Sequence, residues 1–312
     1  MTMRGLLAFV LLLAWAARAA ADSPLGRWAY LKSGAAADDF VLRRLPEYDA
    51  LVFTGYQLKK NGSLRRVEKV PKRIWEYCRE YGILLIPLVA PESVSSAGAL
   101  LRSPAARARA ARELVHLSAE EWASGVQLDI EYLPPRDAAL LAAFLKELKA
   151  AWGSKPLSMA LFPQLDFKRE WAGFHALGLI APYLDEAVLM GYDYHNQETP
   201  PGPVVDIVWA ERNIKVFLEH FRPEQLRLGI PAYGYVWGGQ RPRSIAARLA
   251  VNATEERPPL RHASGTAHYW YREGDKKYQV YYSDRATRAA LRRLAEEYGL
   301  AGTVVWRLEY LD

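Results

Sequence analysis

Short apolar runs alternate with longer amphipathic stretches along most of the chain, and this alternation predicts the fold. Eight short runs have the length and composition of buried β-strands, and they lie at residues 28–30, 50–53, 83–89, 126–132, 157–161, 187–190, 226–230 and 303–306. Helical spacing of apolar residues covers 71–81, 105–122, 136–152, 206–221 and 285–298. A repeated strand and helix order favours a parallel sheet covered by helices.

Eight parallel strands most often close on themselves, so we expect an α/β fold of the (β/α)8 (TIM) barrel type. Residues 236–280 interrupt the pattern because they are polar and then tyrosine-rich, and we expect them to form a small insertion between strand seven and its helix. The sequence stops at Asp312, soon after strand eight, so the final helix is expected to be missing. The length of 312 residues would also allow two modest domains.

The first 21 residues resemble a secretory signal peptide. Arg4 supplies positive charge, residues 5–17 are nearly all apolar, and Ala19-Ala20-Ala21 offers small residues for cleavage. The alternative is an uncleaved anchor, but the apolar run is shorter than the roughly 20 residues of a spanning helix. We therefore predict that residues 1–21 are removed and that residues 22–312 form the barrel. The mature protein should be secreted, periplasmic or extracellular, with no membrane span.

The distribution of charged residues and of possible metal ligands excludes several classes of function. The formal net charge is +6, but Lys and Arg are scattered and no nucleic-acid motif is present, so we expect no nucleic-acid partner. The six histidines show no ligand spacing with other donors, so we expect no metal and no cofactor. Cys78 is the only cysteine and lies in the apolar register of a predicted helix, which favours a buried thiol. We expect a monomer.

The fourth predicted strand carries polar residues on one side. Within residues 125–132, alternation places Gln127, Asp129 and Glu131 on one face and apolar side chains on the other. The apolar face should pack against the outer helices, so the polar face should point into the barrel. Two neighbouring carboxyls repel each other and lose hydration there, so one of them should keep its proton near neutral pH. Glu131, nearest the mouth, is the candidate acid.

This strand resembles the D-G-x-D-x-D-x-E motif of glycoside hydrolase family 18, the chitinase and endo-N-acetylglucosaminidase family. By this resemblance Glu131 protonates the leaving oxygen, and Asp129 orients the 2-acetamido group of the substrate. The acetamido oxygen attacks the anomeric carbon, and water opens the resulting oxazolinium ion with retention, an exception to the scheme with a carboxylate nucleophile. Ser124 and Gln127 replace two aspartates of the motif, which removes proton-accepting groups but leaves the acid.

Further matches follow in the order expected for this family. Residues 190–193 resemble M-x-Y-D, residues 229–234 resemble G-x-P-x-Y-G, and a tryptophan ends the eighth strand. The resemblance implies a catalytic role for Tyr192 and substrate binding by Met190, Asp193, Tyr233 and Trp306. Gln127 and Tyr30 are further candidates for binding substrate, and Tyr56, His195 and Asn196 are weaker candidates for the cleft or its rim.

The resemblance implies a polysaccharide containing β-linked N-acetylglucosamine as the partner, with bacterial spore-cortex and cell-wall N-acetylglucosaminidases as the most similar branch. The main alternative is a carbohydrate-binding barrel with little or no turnover, and the presence of Glu131 favours the enzyme. A third possibility is covalent catalysis with Asp129 as the nucleophile. It is disfavoured because neighbouring positions on one face of a strand do not flank both sides of a glycosidic bond.

Overall fold

The structure is a computed structural model that describes residues 25–32, 38–253 and 258–312. The predicted signal peptide, residues 1–21, lies outside the described residues. Strands in chain order are β1 Gly26–Lys32, β2 Ala50–Leu58, β3 Leu64–Arg66, β4 Leu84–Pro91, β5 Val126–Leu128, β6 Leu157–Leu161, β7 Glu186–Leu189, β8 Leu226–Pro231, β9 Tyr233–Trp237, β10 Arg243–Ala246, β11 Leu260–Arg261, β12 Ala267–Glu273, β13 Lys276–Tyr282 and β14 Gly302–Trp306.

The α-helices connect these strands and cover the outside of the sheet. They are α1 Asp38–Arg44, α2 Lys72–Tyr81, α3 Val94–Arg102, α4 Pro104–Ala119, α5 Ala138–Ala151, α6 Arg169–Ala172, α7 Leu177–Ile180, α8 Ile207–Leu218, α9 Ala247–Asn252 and α10 Arg285–Glu297. Five short 3-10 turns lie at Leu45–Glu47, Pro135–Asp137, Ala181–Tyr183, Pro223–Gln225 and Leu308–Tyr310. None of the described helices is both long enough and apolar enough to cross a membrane.

Eight parallel strands close into a barrel, which confirms the predicted fold. Their order is β1-β14-β8-β7-β6-β5-β4-β2, and β2 pairs with β1 to complete the ring. All eight predicted strand positions are occupied by these strands. The fourth of them is shorter than predicted, because β5 ends at Leu128 and the functional residues Asp129 and Glu131 lie just beyond its end.

Side chains alternate between the barrel interior and the layer under the helices, as the period-two pattern requires. An inner cluster includes Tyr30, Val52 and Leu88, whereas Leu31 and Phe53 belong to an outer cluster packed against helices. Cys78 belongs to that outer cluster and is fully buried, so the predicted buried thiol is confirmed. Its burial raises the pKa of the thiol to about 12.

The predicted insertion folds as a separate antiparallel sheet between β8 and α10. Its five strands are ordered β10-β9-β13-β12-β11, and α9 packs on one face against Val236, Val280 and Tyr282. The sheet spans residues 233–282, slightly more than the predicted 236–280. The predicted insertion begins later because β9 starts only two residues after β8 ends. From the sequence, the apolar residues of β9 therefore look like a continuation of the seventh predicted strand, which is β8.

No α-helix follows β14 in the described part of the chain. The 3-10 turn Leu308–Tyr310 takes that place. Leu308 and Leu311 are buried in the same cluster as Val41 of α1 and Leu45 of the turn after it. The barrel edge without a helix is therefore covered by apolar residues from both ends of the described chain.

We expect the ion pair between Arg227 of β8 and Glu186 of β7 to be required for stability. Arg227 Nε lies 2.5 Å from Glu186 Oε2, the side chains are only 10% and 16% exposed, and the guanidinium lies 3.7 Å from the ring centroid of Trp28. Arg227→Ala leaves a partly buried carboxylate without its partner, so the free energy of unfolding should fall by about 2–3 kcal/mol. Urea unfolding measures this loss.

The matched control for that experiment is Arg212→Ala. Arg212 pairs with Asp166 at 2.8 Å, but both side chains are about half exposed. Solvent screens such a pair, so the loss should be at most about 1 kcal/mol. Equal losses in the two variants would contradict a special contribution from the buried pair.

Candidate active site

A cleft opens at the C-terminal ends of the barrel strands, where barrel enzymes place their active sites. Its volume, including the part open to solvent, is about 620 Å³, within the roughly 300–1,000 Å³ range of small-molecule sites. Eight of the nine predicted site residues line it, namely Tyr30, Asp129, Glu131, Met190, Tyr192, Asp193, Tyr233 and Trp306. The structure therefore brings together residues from five different strand ends.

Asp129 and Glu131 form a hydrogen-bonded carboxyl pair at the end of β5. Burial raises the pKa of Asp129 to about 6, while the hydrogen bond from Glu131 acts in the opposite direction. Burial also raises the pKa of Glu131 well above its usual value, and the nearby charges of Asp129 and Asp193 raise it further. Because two neighbouring negative charges add to the effect of burial, Glu131 is the candidate for holding the proton of the pair.

Asp193 follows β7 and is held by two phenols. The hydroxyls of Tyr233 and Tyr235 donate to its Oδ1 over 2.5 and 2.8 Å. Burial raises the pKa of Asp193, and these two hydrogen bonds partly oppose that shift. The prediction missed Tyr235, although alternation along β9 places it on the same face as Tyr233, and that signal could have found it.

Gln127 is the predicted site residue that does not line the cleft. It is fully buried, and its Oε1 accepts a hydrogen bond from the Tyr30 hydroxyl across the barrel at 2.6 Å. Its Nε2 donates to Ser158 Oγ on the adjacent β6 at 3.2 Å. This burial away from the cleft corrects the prediction that Gln127 binds substrate.

Aromatic rings form two sides of the cleft. Trp306 ends β14, and its ring meets that of Tyr30 edge-on with centroids 5.0 Å apart. On the other side, the ring of Tyr132 lies 5.3 Å from that of Phe162, which in turn lies 5.3 Å from Phe167. Flat apolar rings of this kind suit the C–H faces of a sugar. Tyr132 was missed because alternation in the predicted strand 126–132 places it on the outer face, whereas Phe162 and Phe167 lie in the loop after β6.

The weaker candidates lie outside the cleft. An irregularity between Thr54 and Tyr56 shifts the register of β2 against β4. Tyr56 consequently lines a separate pocket with Phe53 and Trp122, on the outer side of the barrel wall. His195 and Asn196 belong to the loop after Asp193, where the Asn196 amide donates to the Asp193 carbonyl at 3.3 Å, and neither side chain lines the cleft.

The arrangement supports acid chemistry without a group suited to holding a metal. Within residues 25–32, 38–253 and 258–312, no cluster of three or more His, Cys, Asp or Glu side chains could bind a metal ion. The cleft instead offers a protonated Glu131, a neighbouring acceptor in Asp129 and the phenol of Tyr192. This set can donate a proton to a bound oxygen atom while holding a polar group beside it.

The raised pKa of Asp129 predicts a pH-dependent effect of Asp129→Asn. Between the usual pKa of 3.8 and the folded pKa of about 6, the folded state binds more protons than the unfolded state, so stability falls as pH rises. Asparagine does not ionise, so the stability of the variant relative to wild type should increase as the pH rises from 4 to 7. Urea unfolding across this range checks the trend, and a constant difference contradicts it.

Known proteins resemble this chain in sequence and in fold. The glycosylase YvbX of Bacillus subtilis (strain 168), itself uncharacterized, is 24% identical over 223 residues, which is 68% of this chain and 65% of YvbX. The chain therefore spans less than two thirds of that relative. A chitinase from Chromobacterium violaceum ATCC 12472 superposes with a TM-score of 0.83 at 21% identity, covering 93% of this chain and 96% of that one.

The spore cortex-lytic enzyme SleL of Bacillus megaterium QM B1551 superposes with a TM-score of 0.80 at 19% identity, covering 92% of this chain and 71% of SleL. At such identities, the two solved structures demonstrate a shared fold. Residues 95–310, which make up more than half of the chain, match the family model for glycosyl hydrolases family 18. The chain therefore belongs to glycosyl hydrolases family 18.

Proposed function

We propose that this protein hydrolyses glycans containing β-linked N-acetylglucosamine, such as peptidoglycan or chitin-like polymers, with retention and with assistance from the substrate. The observation that carries the proposal is the buried pair in which Glu131 holds a proton against Asp129. Family membership supports a glycosidic substrate. The chitinase and the cortex-lytic enzyme that share the fold support polymers built from N-acetylglucosamine.

In the first step Glu131 acts as the acid. Its pKa is raised mainly by burial, so it remains protonated near neutral pH and can transfer its proton to the glycosidic oxygen as the bond to the anomeric carbon breaks. Tyr132, the next residue, hydrogen-bonds Glu131 and lines the same cleft. The leaving sugar departs as a neutral alcohol, and Glu131 becomes a carboxylate.

The substrate's acetamido oxygen supplies the nucleophile. Asp129 would accept a hydrogen bond from the acetamido N–H, which increases the electron density on the carbonyl oxygen as it bonds to the anomeric carbon. The phenol of Tyr192, buried in the same cleft, would donate to that group. The product is an oxazolinium ion, whose positive charge is stabilised by the carboxylate of Asp129.

In the second step Glu131 acts as the base. It accepts a proton from water as the water oxygen attacks the anomeric carbon, and the oxazolinium ring opens to restore the acetamide. The acetamido oxygen bonds to the face opposite the leaving group, and water then attacks from the face that the leaving group occupied, so two inversions retain the configuration. Because Glu131 ends the cycle protonated, no external proton donor is consumed.

The carboxyl geometry disfavours a covalent glycosyl-enzyme. Retaining enzymes with a carboxylate nucleophile hold the two groups about 5–5.5 Å apart on opposite sides of the bond. Here Asp129 and Glu131 follow one strand and hydrogen-bond each other, so both lie on one side of the cleft. Asp129 is therefore better placed to hold the acetamido group.

We further propose that Trp306 forms the floor under the reacting sugar, with Tyr30, Met190, Asp193 and Tyr233 around it. A flat indole can stack on the C–H face of the ring while the hydroxyls remain free to bind polar side chains. Polymers of this class lie outside the cytoplasmic membrane, which agrees with the proposed export of a monomer after removal of residues 1–21.

Glu131→Gln should abolish hydrolysis while preserving the cleft. Glutamine has the same shape but does not deliver a proton, so kcat should fall by at least about 10²–10⁴-fold with little change in oligosaccharide affinity. Release of reducing ends from chitin and from purified cell wall measures turnover, and calorimetry measures binding. Glu121→Gln, at an exposed position, is the matched control and should retain activity.

Each outcome of this experiment decides between the proposals. Turnover by Glu131→Gln at the wild-type rate refutes the assigned acid. Tight binding by the wild-type protein with no cleavage of either polymer supports the alternative, a carbohydrate-binding barrel. Cleavage of only one polymer defines the substrate.

A thiazoline derived from N-acetylglucosamine should inhibit the protein competitively. It mimics the oxazolinium ion, so it should bind at least about 10²-fold more tightly than the corresponding sugar. Inhibition of the hydrolysis of an N-acetylglucosamine oligomer measures the affinity. The control substrate is an oligomer whose reacting sugar has a free 2-amine. If it is cleaved as rapidly as the acetylated oligomer, participation by the acetamido group is contradicted.

A further inference from the structure

His175 is a buried titratable residue that the proposed mechanism does not use. It lies in the turn between α6 and α7, and none of its surface is exposed. The backbone N–H of Phe162 donates to its Nδ1 over 2.9 Å, and its Nε2 lies 2.9 Å from the carbonyl oxygen of Ile130. Its ring also stacks on that of Phe162, with centroids 5.0 Å apart.

The two backbone partners fix the protonation state of the imidazole. An N–H group can only donate and a carbonyl can only accept, so Nδ1 must carry a lone pair and Nε2 must carry the proton. Burial lowers the pKa of His175 to about 4, which keeps the ring neutral at ordinary pH. The ring therefore matches one donor and one acceptor at the same time.

The bridge lies where two barrel strands separate. β5 ends at Leu128 and β6 ends at Leu161, and Leu128 pairs with Met159 in their last registered contact. Ile130 lies two residues beyond the end of β5 and Phe162 one residue beyond the end of β6, past the last registered pair of the two strands. Buried backbone groups at such positions need partners, and the imidazole supplies a partner to both.

The bridged carbonyl belongs to the residue between the two functional carboxyls. On the β4 side, the N–H of Asp129 donates to the Val89 carbonyl at 3.0 Å. On the β6 side, His175 holds the Ile130 carbonyl. The segment that carries Asp129 and Glu131 is thus restrained from both sides although it lies outside the regular strand.

We propose that His175 is a positioning residue, whose neutral ring replaces one hydrogen bond of the β5–β6 ladder and fixes the backbone between Asp129 and Glu131. The same bridge positions Phe162, which lines the cleft. The kinetic consequence rests on the proposed hydrolase function, whereas the structural bridge does not. Small displacements of reacting groups are sufficient to reduce turnover strongly.

Two substitutions separate the hydrogen bonds from the shape of the ring. His175→Phe keeps an aromatic ring to stack on Phe162 but provides neither hydrogen bond. His175→Gln loses the ring but offers an amide oxygen to the Phe162 N–H and an amide N–H to the Ile130 carbonyl. His220→Phe is the control for replacing a histidine with phenylalanine, because His220 is exposed.

Kinetics on an N-acetylglucosamine oligomer distinguish a positioning role from a packing role. We expect His175→Phe to lower kcat by about 10- to 100-fold with KM changed less than about twofold, because the carboxyls shift while the cleft persists. His175→Gln and His220→Phe should remain within about threefold of the wild-type kcat. An active His175→Phe, or a folded His175→Gln as impaired as His175→Phe, overturns the proposal.

Amide hydrogen exchange tests the bridge independently of activity. Peptides that contain Phe162 should exchange faster in His175→Phe and at the wild-type rate in His175→Gln. Unchanged protection in a folded His175→Phe overturns the bridge, even if the wild-type protein proves not to be a hydrolase. If His175→Phe does not fold, His175→Gln decides alone, because retained kcat and protection support the proposal and their loss overturns it.

Discussion

Two carboxyl groups buried against each other are the constraint on which this structure depends. Removing a carboxylate from water is costly, so neighbouring buried acids share a proton instead of ionising together. In this chain the pair is created by the backbone, because Asp129 and Glu131 lie two residues apart just beyond the end of β5 and both line the cleft. The barrel closes around them, and the outer helices exclude solvent from the other face. A fold built on apolar alternation thereby produces a carboxylic acid that keeps its proton.

Gln127 is neutral, so it adds no further negative charge to the barrel interior. It lies deeper in the barrel than Asp129, fully buried, where a further carboxylate would add negative charge to an already crowded column. The amide instead accepts from Tyr30 and donates to Ser158, so its polar atoms are paired without any ionisation. Asp193 is accommodated differently, by two phenols that donate to one of its oxygens. Hydrogen bonds from neutral side chains, rather than cations, hold the acidic groups of the cleft.

The regular part of this architecture could be read from the sequence, and its irregular part could not. Short apolar runs identified all eight barrel strands, and alternation along the fourth run identified Asp129 and Glu131, because both signals are local. The resemblance to glycoside hydrolase family 18 supplied Met190, Tyr192, Asp193, Tyr233 and Trp306. The side of the barrel on which Tyr56 lies depends on a shift in pairing between β2 and β4, which apolar patterning does not encode. Helix α3 was missed because its serines and glycine are weak helix formers, although Ser93 caps it by accepting from the Ser96 N–H at 3.1 Å. Phe162 and Phe167 reach the cleft from loops whose course is set by tertiary contacts.

Acidic side chains have a cationic partner at one end of the barrel and none at the other. Near the start of the strands, Glu186 is neutralised by Arg227, so it contributes to stability as half of an ion pair. At the other end, no lysine or arginine is among the described residues that line the cleft. A cation beside Glu131 would favour its ionised form and lower its pKa, which would remove the proton that acid catalysis requires. The aromatic lining surrounds the acids with apolar surface and supplies no opposite charge, so the same rings that suit a sugar face also help to keep Glu131 protonated.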